Sequence, residues 1–245
     1  MKRVLILSLV CLAALVSCQK MDHAVNQTIT YYPEIKLAAG TTIAHQVGTP
    51  WKDPGVTATL QGQDVTSQLK IVDTVDPDES GIYTVKYSFT NSDGFVRSAT
   101  RTVVVYDVAN ANDSDISGTY ATTTYIRTKP DGSVTSYNDV YGFACEEKIT
   151  PGPGTGLFYI QDLVAGLYEF YAGYGSAYAY KAFVLLNKDN SFSLLNGDAI
   201  DPWGDPIAFY DGEAYYDPES ETVVLNWTYP GVSVNKYTTT YTDKK

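Results

Sequence analysis

Residues 81–89 alternate between two kinds of side chain. One set is apolar and the other is polar: Tyr83, Val85, Tyr87 and Phe89 against Thr84, Lys86 and Ser88. Because successive side chains of a strand point to opposite faces, this period of two predicts a β-strand with one buried and one solvated face. Similar short runs recur along the chain between turn-forming Gly, Pro, Asn and Asp residues, which favours an all-β fold and excludes an all-helical one.

The composition supports an all-β fold and narrows the class of partner. The chain has 245 residues with 44% apolar content, which is enough for one or two domains with buried cores. Tyr occurs 21 times, and charged residues make up only 18%. The 17 basic and 28 acidic residues give a net charge of −11. Because nucleic-acid binding draws on clusters of Lys and Arg, we predict no nucleic-acid partner.

The N-terminus has the features of a bacterial signal peptide over residues 1–17. Lys2 and Arg3 precede an apolar stretch that is too short to span a bilayer. The stretch ends in Leu-Val-Ser-Cys at residues 15–18, which resembles the lipobox of bacterial lipoproteins. The resemblance implies that residues 1–17 are removed and that Cys18 carries acyl chains such as palmitate. Several acyl chains anchor a protein stably in a membrane, so the membrane is a predicted partner.

Cleavage after residue 17 has consequences for charge, cysteines and location. Loss of Lys2 and Arg3 leaves 15 basic against 28 acidic residues, a net charge of −13. With Cys18 lipidated, Cys145 has no partner for a disulfide and is predicted to be a buried thiol rather than a nucleophile. Gln19, where Asp would signal retention at the inner membrane, favours the outer membrane, and exposure at the cell surface stays open. Residues 18–27 show no periodicity and are predicted to form a tether.

Residues 28–106 contain about seven short strand-like runs, which suits a β-sandwich of immunoglobulin type. Five segments carry a further resemblance: 51–58 (Trp-Lys-Asp-Pro-Gly-Val-Thr-Ala), 62–66, 81–85, 92–94 and 101–105. In order and spacing they resemble bacterial immunoglobulin-like modules related to hyalin repeats. This chain has Phe95 where those modules usually have Asn. The resemblance implies a spacer in a cell-surface protein rather than a ligand site.

A second body follows a short boundary. Residues 107–115 are small, polar and acidic, and are predicted to form a linker. Residues 116–245 hold 16 of the 21 tyrosines and about eight to ten strand-like runs, among them 166–171 and 178–186. That many antiparallel strands suit a closed β-barrel, which leaves no exposed edges.

Four segments of this second body carry a resemblance: 117–120 (Ser-Gly-Thr-Tyr), 159–163, 166–168 and 186–192. They resemble the lipocalin-like or calycin-like C-terminal domains of Bacteroides-type envelope lipoproteins. The resemblance implies an antiparallel, lipocalin-like barrel in the cell envelope. Such lipoproteins often belong to glycan-utilisation systems.

Aromatic side chains are dense between residues 168 and 203, where glycines separate them. The predicted ligand site consists of Tyr168, Tyr174, Tyr178, Tyr180 and Trp203. Flat aromatic faces stack on the C–H faces of sugar rings, while neighbouring carboxylates and amides accept hydroxyl protons. The pattern therefore predicts a glycan site. Two alternatives stay open, namely that these tyrosines pack in the core of the barrel, or that a small amphiphile lies inside it.

Catalytic and metal-binding patterns are missing from the sequence. Acidic residues group at 73–79 and at Asp198, Asp201 and Asp205, but without the spacing of an EF-hand, and the two mature-chain histidines lie before residue 50. There is no nucleophile elbow, phosphate loop or zinc-protease motif, so we predict no enzyme, metal or cofactor. The prediction is a lipid-anchored envelope protein that binds a glycan. The alternative is a structural or adhesion lipoprotein that contacts another envelope protein.

Overall fold

The computed structural model describes residues 29–142, 145–195, 199–210 and 212–245. The chain is all-β, with 48% strand and 9% helix, an immunoglobulin-like body and a barrel-like sheet, which confirms the predicted fold class. The predicted signal peptide, Cys18 and the tether lie outside the described residues. Within those ranges, no helix has the length and apolar character needed to cross a bilayer.

The described residues form one short α-helix, α1 (Tyr137–Tyr141), and eighteen strands. The strands are β1 (Glu34–Leu37), β2 (Thr42–Gln46), β3 (Val56–Leu60), β4 (Gln63–Asp64), β5 (Lys70–Asp73), β6 (Gly81–Thr90), β7 (Val96–Tyr106), β8 (Gly118–Thr128), β9 (Val134–Ser136), β10 (Cys145–Pro151), β11 (Leu157–Ile160), β12 (Ala182–Leu186), β13 (Phe192–Leu194), β14 (Ala199–Ile200), β15 (Pro206–Phe209), β16 (Tyr215–Asp217), β17 (Thr222–Thr228) and β18 (Lys236–Lys244).

Strands β1 to β7 form the sandwich. One sheet has the order β1-β3-β4 and the other has the order β2-β7-β6-β5, in which β2 runs parallel to β7. The alternation predicted for β6 is present, since Val85, Tyr87 and Phe89 are buried while Thr84 and Lys86 are exposed. Apolar side chains between the two sheets form the core of this body.

A buried ion pair explains the motif around Asp53. The Arg101 side chain is fully buried and donates a 2.6 Å hydrogen bond to Asp53 Oδ1. The same guanidinium donates to the carbonyl oxygens of Ala38 and Gly55, at 2.7 and 2.8 Å. The Tyr87 hydroxyl donates to Asp53 Oδ2 at 2.5 Å. The segment around Asp53 therefore has a structural role, because its hydrogen bonds stabilise the interior of the sandwich.

Among the described residues, eight strands form an antiparallel barrel in chain order: β8, β10, β11, β12, β13, β16, β17 and β18. The first and last of them pair along nearly their whole length. A bridge between Ser191 and Tyr215 joins β13 to β16, flanked by backbone hydrogen bonds from Phe192 and Tyr216. The same sheet also contains three short strands, since β9 pairs with β8, β15 pairs with β17 and β14 pairs with β15. Among the eight main strands, neighbours in the sheet follow one another in chain order, which is the up-and-down order of lipocalin-like barrels.

The barrel is filled by side chains. Residues 162–180, between β11 and β12, bring Leu163, Val164 and Leu167 into its large apolar cluster. Strand β18 holds this segment, because the Tyr241 hydroxyl donates to the Asp162 carbonyl oxygen at 2.7 Å. A packed interior disfavours the alternative of an amphiphile held inside the barrel.

Two of the runs predicted as strands have a different conformation. Residues Leu167–Tyr171 form a π-helical turn, and the strand predicted from residue 178 begins only at Ala182. Gly166, just before the π-helical turn, has a left-handed backbone with φ of 74°. A Cβ at this position would lie 2.6 Å from the Cys145 sulfur, so both the backbone and the space require glycine. Aromatic residues favour strands by their local propensity, but tertiary packing determines the conformation of these two segments.

Residues 107–115 connect the sandwich to the barrel and dock onto the barrel. Ala111 is buried and forms a bridge with Asn187, and the Asn110 amide donates to Asn187 Oδ1 at 2.8 Å. One apolar cluster takes members from both bodies and from this segment: Val104, Tyr106, Ala111, Leu157, Leu185 and Leu195. The junction is therefore a shared core rather than a free hinge.

Candidate functional site

The five aromatic residues of the predicted site lie together at one end of the barrel. The Trp203 ring contacts the other four, with centroid distances of 4.7 Å to Tyr168, 5.3 Å to Tyr178, 6.0 Å to Tyr180 and 6.5 Å to Tyr174. Most of these contacts are edge-to-face, the arrangement that aromatic pairs prefer. Residues separated by up to 35 positions in the sequence thus form one aromatic cluster.

The burial of these five rings divides the cluster into a surface part and a core part. Trp203 is 50% exposed and Tyr174 is 56% exposed, whereas Tyr180 is only 2% exposed. Burial raises the pKa of Tyr180, and a hydrogen bond with Tyr229 raises it further. The cluster is therefore neither wholly a surface groove nor wholly a filled core, because its inner ring supports an exposed outer rim.

The loop that carries Trp203 is held by the Asp201 carboxylate. Asp201 Oδ1 accepts the backbone N–H groups of Trp203 and Asp205, at 2.8 and 2.9 Å. Asp201 Oδ2 accepts the Tyr180 hydroxyl at 3.1 Å. Because Asp201 is buried and Tyr180 belongs to the core, Trp203 projects from a braced turn rather than from a loose loop.

A pocket of about 270 Å³ opens beside Trp203. It is lined by residues of three chain segments: Tyr168, Tyr180, Asp201, Trp203, Asp205, Tyr229, Val232, Ser233 and Tyr237. The walls are largely aromatic rings, and hydroxyl and carboxylate oxygens stand among them. Such a combination of flat apolar faces and polar acceptors suits a small polyhydroxylated ligand.

Sequence reasoning missed one wall of this pocket. Tyr229 and Tyr237 flank the turn between β17 and β18, and their rings lie 5.3 Å apart at 81°. Pro230 and Gly231 directly follow Tyr229, so a Tyr-Pro-Gly turn at the end of a strand was the available signal. Two of the predicted residues, Tyr174 and Tyr178, contact Trp203 but do not line the pocket.

Stacked rings continue from the pocket into the barrel wall. Trp227 is fully buried and lies 4.8 Å from Tyr237 and 5.9 Å from Tyr125, nearly parallel to both. Tyr125 stacks in turn on Tyr137, at 4.7 Å. These contacts hold Tyr237 in place, so the pocket has a rigid aromatic base.

Two carboxyl groups and a thiol lie beside the π-helical turn that carries Tyr168, and a third carboxyl group lies on the turn itself. The Cys145 thiol donates to Glu147 Oε1 at 3.3 Å. Burial and then the nearby Asp162 raise the pKa of Glu147 to about 8. Burial, followed by the charge of Glu147, raises the pKa of the Cys145 thiol, so the thiol stays protonated and is a poor nucleophile. Glu169, on the π-helical turn, completes this acidic group.

The Asp162 carboxylate holds the segment between Val164 and Tyr180, which carries Tyr168. Its carboxylate is fully buried and accepts the backbone N–H groups of Val164, Gly166 and Tyr180, at 2.9 to 3.0 Å. Burial raises the pKa of Asp162 to about 6, although these three hydrogen bonds act in the opposite direction. One carboxylate thereby ties together both ends of the segment that carries Tyr168.

The acidic loops do not form a cation site in the part of the chain that is described. No group of three or more His, Cys, Asp or Glu side chains there has a metal-binding arrangement. Asp198, which the sequence groups with Asp201 and Asp205, lies outside the described residues. Asp201 itself uses its oxygens to hold the Trp203 loop.

Family models match both bodies of the chain. A model described as "Bacterial surface protein, Ig-like domain" matches residues 35–105. A second model, for BT2262-like C-terminal domains, matches residues 109–243, which is more than half of the chain. These matches confirm the two resemblances found in the sequence and support a location at the bacterial cell envelope. No curated protein sequence matches the chain.

Three solved structures are similar to this chain. The lipoprotein BT2262 from Bacteroides thetaiotaomicron has 29% identity and a TM-score of 0.41, with 86% of this chain and 100% of that chain covered. A structure of CBM51-2 in complex with GlcNAc and INT domains from Clostridium perfringens ZmpB has 18% identity and a TM-score of 0.29, with 87% and 44% covered. The M60 catalytic domain with CBM51-1 and CBM51-2 from the same protein has 18% identity and a TM-score of 0.30, with 88% and 21% covered.

Proposed function

The chain belongs to the BT2262-like family through its C-terminal domain, and we propose that it is a non-catalytic, lipid-anchored envelope protein that binds a glycan at the mouth of its barrel. Acyl chains on Cys18 would anchor it in the outer membrane. The sandwich would act as a spacer, and the barrel would present the pocket beside Trp203 to the ligand. Outer-membrane anchoring rests on the lipobox and on Gln19, both read from the sequence alone.

The half-exposed indole of Trp203 at the edge of the pocket is the observation that carries this proposal. A large apolar side chain usually loses most of its exposure on folding, so an exposed Trp that is braced from behind is a feature of binding surfaces. Its loop is fixed through Asp201 and Tyr180, so little conformational entropy is lost when a ligand stacks on it. The surrounding phenol and carboxylate oxygens supply acceptors for sugar hydroxyls.

A gel-retention experiment tests the proposal. Residues 20–245, without the lipid, are run through gels that contain individual polysaccharides, both neutral and acidic. We expect one glycan to retard the protein, and Trp203→Ala to weaken that binding by at least about tenfold, the loss expected when a central aromatic contact is removed.

Two further variants control this experiment. Phe95→Ala removes an equally exposed aromatic side chain from the sandwich and should leave retention unchanged. Tyr174→Ala removes a ring that touches Trp203 without lining the pocket, so its effect should be small. Retention that survives in Trp203→Ala, or that is absent across a broad panel, would contradict the proposal.

A second candidate function has its own structural support. Val140, Tyr141 and Phe170 are all more than half exposed and do not line the pocket. Contiguous exposed apolar patches are typical of protein contacts, so a patch that includes these side chains would fit an adhesion or structural lipoprotein. Two results together would favour this second function. An envelope protein that co-purifies with the unchanged chain would be lost in Phe170→Ser, and no glycan would retard the unchanged chain in the gels.

A further inference from the structure

We propose that the pocket beside Trp203 binds a single neutral sugar ring of a glycan, and that it rejects uronic, sialic and sulfated sugars. This inference rests on the proposed glycan-binding function and specifies its ligand class. It follows from the size of the pocket, the charges that line it, and the acceptor capacity that Asp201 has left.

The size of the pocket limits the ligand to about one ring. Its 270 Å³ lies just below the range of roughly 300–1,000 Å³ that is typical of sites for drug-sized molecules. The Trp203 loop bounds one side, and the turn with Val232 and Ser233 bounds another. Tyr180 and Tyr237, both buried, close the base. The pocket is shallow and open to solvent, so neighbouring rings of a longer chain would lie outside it and add few contacts.

The charge of the lining selects against anions. Asp201 and Asp205 both line the pocket, and no Lys, Arg or His among the described residues does so. Lys236, next to Tyr237 in the sequence, pairs with Glu213 and lies 5.2 Å above the Tyr210 ring, so it is engaged elsewhere. A carboxylate or sulfate on the ligand would therefore meet like charges without a compensating cation.

The net charge of the whole chain acts in the same direction. With 28 acidic and 17 basic residues, the protein repels polyanionic chains at long range. This repulsion is screened by salt, whereas the repulsion inside the pocket is screened less because the groups are partly desolvated. The two contributions can therefore be separated by ionic strength.

Asp201 has acceptor capacity for one sugar hydroxyl. An ionised carboxylate offers about four lone-pair sites. Two are used by the backbone N–H groups of Trp203 and Asp205, and a third by the Tyr180 hydroxyl. One site on Oδ2 remains, and Asp201 is among the residues that line the pocket, so a hydroxyl donor of a ligand could satisfy it and an anionic group could not. The same residue thus positions Trp203 and selects a hydroxyl-bearing ligand.

Titration with defined sugars tests this inference, with Trp fluorescence as the readout. The probes are neutral and uronic pairs (glucose and glucuronic acid, galactose and galacturonic acid, mannose and mannuronic acid) as chains of one to six units. We expect the Kd of the bound neutral series to change by less than about threefold with length, and uronic chains to bind at least about tenfold more weakly. In Trp203→Phe the fluorescence change on sugar addition should disappear, which would identify Trp203 as its source.

A matched pair of variants isolates the charge of the pocket. Asp205→Asn should lower the ratio of the uronic Kd to the neutral Kd at least about threefold, because it removes a negative charge that lines the pocket. Glu219→Gln makes the same change in net charge on an exposed turn outside the pocket, and should have no such effect. In 500 mM NaCl the preference for neutral sugars should persist in the unchanged chain, because the excluding charges are local.

The outcomes separate this inference from the proposed function. Equal binding of neutral and uronic sugars, or an affinity that rises steadily with chain length, overturns the inference while glycan binding at Trp203 stands. An identical gain in Asp205→Asn and Glu219→Gln overturns the local role of the pocket charges. Absence of binding to any glycan overturns the proposed function together with the inference.

Discussion

The sandwich and the barrel both bury charged side chains, but they neutralise them differently. In the sandwich, the Arg101 guanidinium meets the Asp53 carboxylate, and Tyr87 adds a further hydrogen bond to that carboxylate. In the barrel, Glu147 and Asp162 are buried, and none of the ion pairs among the described residues includes them. One body stabilises its buried charge with an opposite charge, and the other with hydrogen bonds and a retained proton.

The buried carboxyl groups of the barrel predict that its stability depends on pH. The pKa of Glu147 is raised to about 8 and that of Asp162 to about 6, in both cases chiefly by burial. Between the unfolded pKa values near 4 and these folded values, the folded barrel binds more protons than the unfolded chain. Its free energy of unfolding therefore falls as the pH rises from about 4 to about 8.

Arg101→Ala should have the largest effect of the changes that test this comparison. It leaves Asp53 without its cation and the carbonyl oxygens of Ala38 and Gly55 without their donor. Breaking a buried pair in this way costs about 3–5 kcal/mol, and urea unfolding measures the loss. Arg97→Ala, an exposed change on the same strand, should stay within about 0.5 kcal/mol. Similar losses in the two variants would mean that the buried pair is not what stabilises the sandwich.

Asp162→Asn should have an intermediate effect on the barrel. The amide oxygen can still accept the N–H groups of Val164 and Tyr180, which bond to Oδ1. The amide nitrogen, however, would face the Gly166 N–H, so two donors oppose each other and one bond is lost. We expect a loss of about 1–3 kcal/mol by urea unfolding at pH 7. A loss below about 0.5 kcal/mol, which is typical of a surface substitution, would show that the Asp162 carboxylate does not stabilise the barrel.

Near pH 5, Glu147→Gln should have the smallest effect of the three changes, and its effect should grow as the pH rises. Gln has nearly the shape of Glu but does not titrate, so it avoids the cost of ionising a buried group. At pH 9 the variant should be more stable than the unchanged chain by on the order of 4 kcal/mol, because each unit by which the Glu147 pKa is raised corresponds to about 1.4 kcal/mol, and near pH 5 this advantage should nearly vanish. Thermal unfolding at the two pH values measures the difference. A constant offset at both would show that Glu147 ionisation does not limit the stability of the barrel.

The parts of the fold that follow local rules were predictable. The period of two in β6 set its buried and exposed faces, and the regular spacing of turns indicated two all-β bodies. The motif around Asp53 was visible in the sequence, but its partner Arg101 lies 48 residues away and could not be assigned from spacing. Long-range polar pairing is a tertiary property that a single sequence does not display.

The candidate site was predictable in composition and only partly in geometry. Trp203 lies in the loop that its Pro and Gly neighbours indicate, with the other four aromatic residues around it. The sequence predicts strands at residues 166–171 and from residue 178, because aromatic residues favour strands. In the structure, Tyr168 lies on a π-helical turn, and Tyr180 precedes the strand that begins at Ala182. The conformation depends instead on Asp162, a buried carboxylate that draws three N–H groups to itself. Its role depends on tertiary contacts, which a single sequence does not display.

The core shared by the sandwich and the barrel has a consequence for motion. Because Tyr106, Ala111 and Leu157 belong to one apolar cluster, the two bodies rotate in solution as a single particle with a single correlation time. The end of the barrel that carries Trp203 therefore keeps one direction relative to the sandwich.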